Sequence, residues 1–205
     1  MKPWPLPKID AVLALDIATK TGFSRVHRAG DEYDPDAIGR GPLTGTWELE
    51  LPPWKTVKRL FGRHWDPRPG TMFRRVEACL QAQPNTTTLV VWEDVEFVSS
   101  RDQITCWSGL RAAVWCACEQ VTLAGGARSL FYSVPVGTLK KFATGSGQAT
   151  KVDMERAAVK CKLVPASHGF DDNAIDARWI LEYALRTYSG SVASAFDSRA
   201  FRVVG

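Results

Sequence analysis

Three acidic positions stand out because each lies where a carboxylate needs a reason to be. Asp16 interrupts an otherwise apolar run over residues 11–17 (AVLALDI), and Glu93 directly follows Leu89, Val90, Val91 and Trp92. The third position is the cluster Asp171, Asp172, Asn173 and Asp176, which opens the last amphipathic stretch of the chain. An unpaired charge in an apolar strand costs several kcal/mol unless a partner or a metal compensates it. Glu93 stands at the carboxyl end of a buried strand, where ligands of open α/β sheets gather.

The chemistry open to such a set is metal chemistry. Carboxylates are hard oxygen donors of the kind magnesium takes, and manganese accepts the same ligands. Two ions about 3.5–4 Å apart can activate a water and stabilise the leaving oxygen of a phosphodiester. Residues four apart share a helix face, so Asp172 and Asp176 can point the same way, with Asn173 as the alternative neighbour three apart. Each acid also has a plainer use. Asp172 suits a helix N-cap, Asp176 could pair with Arg178 or a distant lysine, and Asp16 could open a turn over 19–22.

The elements that must position these acids are legible from periodicity. Residues 11–17 read as a buried central strand, 23–27 as an antiparallel partner, and 45–50 as a third strand inside a Gly-, Pro- and charge-rich excursion over 28–70. Met72, Val76, Cys79 and Leu80 recur at helical spacing before a second buried strand at 87–92. A long helix is expected over 103–124, with Ile104, Trp107, Leu110, Val114 and Val121 inward and Gly125 and Gly126 ending it. A fifth strand follows at 130–134, then short helices near 136–143 and 150–161 and a final amphipathic helix over 173–188. This order predicts an α/β domain over 1–188, a mixed five-stranded sheet with helices on both faces, followed by a loosely held tail from 189 to 205.

Composition narrows the class without fixing it. The chain has 205 residues, 45% hydrophobic, enough for one packed domain. It lacks an apolar run long enough to span a membrane and has no signal-like start, so a cytoplasmic protein is expected. Five cysteines, with no CxxC pair, read as reduced and mostly buried thiols rather than as a disulfide framework or a zinc site. The formal charge of +4 suits a polyanionic partner. Lys55, Lys58, Arg59 and Arg63 lie among Trp54, Phe61 and Trp65, a mixture able to hold phosphates while aromatic faces stack on bases; a solvated loop with buried tryptophans is the other reading.

Taken together, these segments resemble the RuvC family of Holliday-junction resolvases, in the RNase H-like superfamily, and a phage-type member of it. Residues 13–23 (LALDIATKTGF) are similar to the family's first strand and glycine-bearing turn, 91–97 (VWEDVEF) to its second catalytic strand, 108–112 (SGLRA) to the glycine-containing helix behind it, and 172–177 (DNAIDA) to its Asp-rich helix start. The resemblance spans roughly 11–185. It implies an RNase H-like fold in which Asp16, Glu93 and Asp176 bind two magnesium ions, with manganese able to substitute, and Asp172 as a fourth ligand. The family spaces its last two acids three apart, which here selects Asn173, so the fourth ligand stays open among Asp171, Asp172 and Asn173. Lys140 and Lys151 flank a Gly145-Ser146-Gly147 loop as basic residues do in these enzymes, which implies that they face the scissile phosphate, with Lys141 a further DNA-binding residue. Phe97 resembles an aromatic residue that the family sets against junction bases. The implied activity is cleavage of four-way junctions, flaps or forks by metal-activated water, in a homodimer that could pair through the long helix, in a bacterial or phage-infected cytoplasm. Two other readings compete: a non-catalytic module binding branched nucleic acid, and an RNase H-like phosphotransferase, which would need a second copy of the domain that the chain lacks.

Overall fold

The computed structural model describes residues 8–27, 42–49, 66–81, 85–94, 100–167 and 169–188. Five strands form one sheet: β1 (Ala11–Asp16), β2 (Lys20–His27), β3 (Leu43–Glu48), β4 (Thr87–Asp94) and β5 (Arg128–Pro135). Their order is β3-β2-β1-β4-β5. The first three make an antiparallel meander, and β4 and β5 join parallel to β1 and to each other. Among the described residues five helices accompany them: α1 (Arg68–Gln81), α2 (Arg101–Leu123), α3 (Val136–Thr144), α4 (Lys151–Lys160) and α5 (Asp172–Thr187).

Strand alternation sends successive side chains to opposite faces and so divides the apolar residues into two cores. Val12, Ala14, Leu89 and Val91 face one way and pack with Leu139 of α3, Met154 and Ala158 of α4, and Ile175, Trp179 and Ile180 of α5. Leu13, Leu15, Val90 and Trp92 face the other way, under Met72 and Val76 of α1 and Leu110, Val114 and Val121 of α2. Burial on both faces explains why β1 and β4 read as near-continuous apolar runs. The expected mixed five-stranded sheet with helices on both faces is the fold found. No helix among the described residues is long and apolar enough to cross a membrane.

Several boundaries differ from expectation for local reasons. β2 begins at Lys20 rather than residue 23, because the Thr21 hydroxyl donates to the Ala18 carbonyl and pairing resumes directly after this tight turn. β3 runs over 43–48, two residues earlier than expected. Ile104 is 50% exposed, not inward. It stands six residues before Leu110, about 240° around the helix and off the buried stripe, whereas Trp107, about 60° away, is half-buried. All five cysteines are free as expected, but only Cys118 is buried; Cys116 is exposed and the other three are intermediate. Of the excursion over 28–70, residues 28–41 and 50–65 lie outside the described residues, as does the tail from 189.

One contact fixes how closely α5 settles on the sheet. Gly22 of β2 lies under its first turn, and a Cβ there would sit 1.8 Å from the Asn173 carbonyl oxygen and 2.3 Å from its carbon. Both are backbone atoms, so the helix itself must move to admit a methyl group. Gly22→Ala is therefore expected to cost at least about 2 kcal/mol, a fall in Tm of roughly 4–8 °C in a thermal melt followed by circular dichroism.

Candidate active site

The acids are brought together by strand register. β1 and β4 run parallel with Leu15 opposite Trp92, so Asp16 and Glu93 follow side by side at the carboxyl ends of the two central strands. Alternation gives both the face shared by Val12, Ala14, Leu89 and Val91, which is the face α5 covers. Asp176 comes from the second turn of α5, over these strand ends. Residues tens of positions apart in sequence thus come to one corner of the sheet.

Electrostatics show how tightly the three are coupled. Burial pushes the Asp16 carboxyl well above the usual carboxylate range, and the negative charges of Asp176 and Glu93 push it further. Glu93 is raised to about 7, first by burial and then by Asp176, while Lys140 and Lys151 pull the other way. Asp176 is raised to about 6 by burial, against the attraction of Lys151 and Lys140. Like charges sharing a poorly hydrated site resist ionising together, and these lysines offset only part of that repulsion.

The rim is organised differently. Asp171, not Asp172, is the N-cap of α5, accepting from the Ala174 amide at 3.0 Å and from the Thr46 hydroxyl of β3. Asp172 is exposed and takes a hydrogen bond from Lys151 Nζ at 2.7 Å, which holds its carboxyl below the usual range. Such an exposed pair contributes little to stability and exchanges readily. The Asn173 carbonyl is the group packed over Gly22. Arg178, considered above as a partner for Asp176, is buried beside Glu182 and donates to the Leu163 carbonyl at 3.4 Å instead.

Lys140 lies at the middle of α3 and Lys151 opens α4 behind the Thr150 N-cap. Gly145 closes α3 in the left-handed conformation, φ 85°, where glycine carries no Cβ penalty. Lys141 is exposed one position further around α3. Phe97, Lys55, Lys58, Arg59 and Arg63 lie outside the described residues. Thr46 had no mark in the sequence to single it out. Asp171 did carry a signal, a capping residue three before Ala174, but its neighbouring acids obscured it.

Three carboxylates and a half-turned rim form an all-oxygen donor set, the chemistry that hard divalent cations select. Among the described residues no three His, Cys, Asp or Glu side chains are placed so that they could hold one metal ion together. What acts on the inner acids is burial and one another, a condition that a cation between them relieves.

No family model matches the chain, and no curated protein does. Solved structures do. RuvC of Thermus thermophilus is similar with a TM-score of 0.60 and 17% identity over 88% of this chain and 97% of that one. The same organism's RuvC in complex with a Holliday junction gives 0.61 and 16%, over 89% and 97%. The yeast mitochondrial Holliday junction resolvase Ydc2 gives 0.54 and 11%, over 93% and 83%. At these identities the likeness establishes the RuvC fold for this chain.

The raised acids fix the sign of a pH effect. A carboxyl whose folded pKa exceeds its unfolded value stabilises the fold below about pH 4, and that contribution is lost as pH rises through about 6 to 7. The metal-free protein should therefore melt lower at pH 8 than at pH 5.5. Glu93→Gln should regain on the order of 2 kcal/mol at pH 8, about 4–8 °C by calorimetry, with little gain at pH 4. Magnesium should raise the wild-type Tm at pH 8 and have little effect at pH 5. A pH-independent difference between wild type and Glu93→Gln would contradict the shared burial of these charges.

Proposed function

We propose that the protein is a magnesium-dependent, structure-selective endonuclease that cuts Holliday junctions or other branched DNA. The observation that carries this reading is the convergence of Asp16, Glu93 and Asp176 from three separate elements onto one partly buried corner at the sheet's carboxyl edge, where their charges act on one another. The fold adds support, since similar structures include a RuvC solved with a Holliday junction.

In this reading Asp16, Glu93 and Asp176 hold two divalent ions, magnesium with manganese as a substitute. When bound, such ions supply an activated water and neutralise charge on the phosphodiester. The chain's own groups do the rest. Lys140 and Lys151 set positive charge beside the acids, where it favours the negative charge that develops on the attacked phosphate. Lys151 rests on Asp172 at 2.7 Å, and as an exposed pair it can release either side chain toward phosphate or metal. Asp172 serves as the fourth acid only once that pair opens. Lys141, Phe97 and the basic cluster of Lys55, Lys58, Arg59 and Arg63 extend the DNA-binding surface away from the cut.

A homodimer suits a substrate with two strands to cut. The outer stripe of α2 supports it: Ile104 is 50% exposed and Trp115 44%, with Ser108 and Ala112 exposed between them. The Arg111 guanidinium lies over both the Trp107 and Trp115 rings at 4.6 and 5.0 Å. Exposed tryptophan with stacked arginine is the composition that centres protein interfaces.

Two measurements test the proposal. Purified protein with magnesium should cut a four-way junction in preference to linear duplex, leaving 5′-phosphate and 3′-hydroxyl ends, and Asp16→Asn should lose at least about 1,000-fold in rate. Equal cutting by wild type and Asp16→Asn removes the nuclease reading, while junction binding without any cutting leaves a binding module. In sedimentation equilibrium, Trp115→Glu should shift a dimer to monomer; an unchanged mass places any dimer contact elsewhere.

A further inference from the structure

Three strands contribute one residue each to a single row across the sheet. Thr46 of β3 is opposite Gly22 of β2, and Gly22 is opposite Asp16 of β1. Opposed residues of antiparallel strands point to the same face, so Thr46, the bare Gly22 backbone and Asp16 present themselves in line to α5. The first turn of α5 straddles this row. At its centre the Asn173 carbonyl fills the space where a side chain of Gly22 would be. At one end the Thr46 hydroxyl donates to the Asp171 carboxylate, a contact between residues 125 apart in sequence. At the other end Asp176, one turn further along α5, reaches the charge field of Asp16 and Glu93.

The geometry points to Thr46 and Asp171 as positioning residues: the Thr46–Asp171 hydrogen bond sets the seat of α5 and thereby the placement of Asp176 against Asp16. This rests on the reading of Asp16, Glu93 and Asp176 as a metal-holding set. The physical reason lies in the first turn of α5: Ile175, Trp179 and Ile180 hold the rest of the helix in the core, and the Trp179 indole donates to the Met154 carbonyl, but over Gly22 backbone meets backbone with no side chain to interlock. A helix start resting on a bare glycine can shift by a fraction of a turn until a polar anchor stops it. Asp171 is that anchor, because one carboxylate oxygen takes both the helix's own Ala174 amide and the hydroxyl from the sheet. Helix cap and sheet contact are thus the same atom. An error of about 1 Å at such a seat is the scale on which catalytic geometry fails.

The Thr46 hydroxyl bonds Asp171 rather than Asp16, Glu93 or Asp176, so its removal should act on those acids through α5. Valine keeps the shape and suits a strand but cannot donate, whereas serine keeps the donor. The full chain is compared as wild type, Thr46→Val, Thr46→Ser and Asp16→Asn, with manganese affinity read by titration calorimetry and single-turnover cutting of a four-way junction read separately from junction affinity. Thr46→Val is expected to lose about 10-fold or more in manganese affinity and in cutting rate, as outer partners of metal ligands commonly do, with junction affinity within about twofold. Thr46→Ser should recover to within about threefold of wild type. Thr46→Ala stands in if Thr46→Val fails to fold by near-UV circular dichroism. Wild-type manganese affinity in Thr46→Val, or equal impairment in Thr46→Ser, overturns the positioning role while leaving the nuclease reading intact. A folded wild type that neither binds manganese nor cuts, like Asp16→Asn, overturns both.

Discussion

Buried negative charge governs this structure. Three carboxylates share a poorly hydrated corner of the sheet, and each raises the cost of ionising the others. A fold seldom keeps such an arrangement for stability, because apolar side chains of similar volume would pack there without repulsion. The remainder of the molecule supplies what the corner cannot supply for itself. Two apolar cores hold the central strands rigid from both sides, and the lysines at 140 and 151 soften the field from helices that belong to the same face.

The division of labour between centre and rim follows from exposure. Inside, proximity and burial together hold the acids above the usual carboxylate range. At the rim, Asp171 and Asp172 have satisfied carboxylates held below the usual range: burial works against Asp171, but hydrogen bonds from Thr46 and Ala174 outweigh it, and Lys151 holds Asp172. Adjacent residues in sequence therefore do opposite things, one anchoring a helix and the next balancing a lysine, while Asp176 faces inward.

How much of this could be seen in the sequence depends on whether a signal was local. Asp16 and Glu93 were visible because an acid inside an apolar run violates the strand's own pattern, and both faces being buried made the run itself conspicuous. Asp176 was visible as part of an acidic helix start. The assignment of the cap failed by one residue, since two acids and an amide in succession offer the same local chemistry and only the helix's actual first turn distinguishes them. Ile104 was misplaced because a long helix with several apolar stripes does not announce which one is covered; α1 decides that from outside. The tie from Thr46 to Asp171 was out of reach, as nothing in a threonine of a short edge strand points to a residue 125 positions away.

The topology also bears on when the acid corner comes into being. β1 must wait for β4, more than seventy residues later, to gain its parallel neighbour, and the last acid arrives on α5, after nearly the whole sheet has been laid down. Contacts of such long sequence separation close late, because loop-closure entropy is spent before they form. A nascent or truncated chain ending before residue 176 thus holds at most two of the three carboxylates. Assembly of the acid corner is in this way tied to completion of the fold, and an incomplete polypeptide carries two of its acids without the third that acts on them.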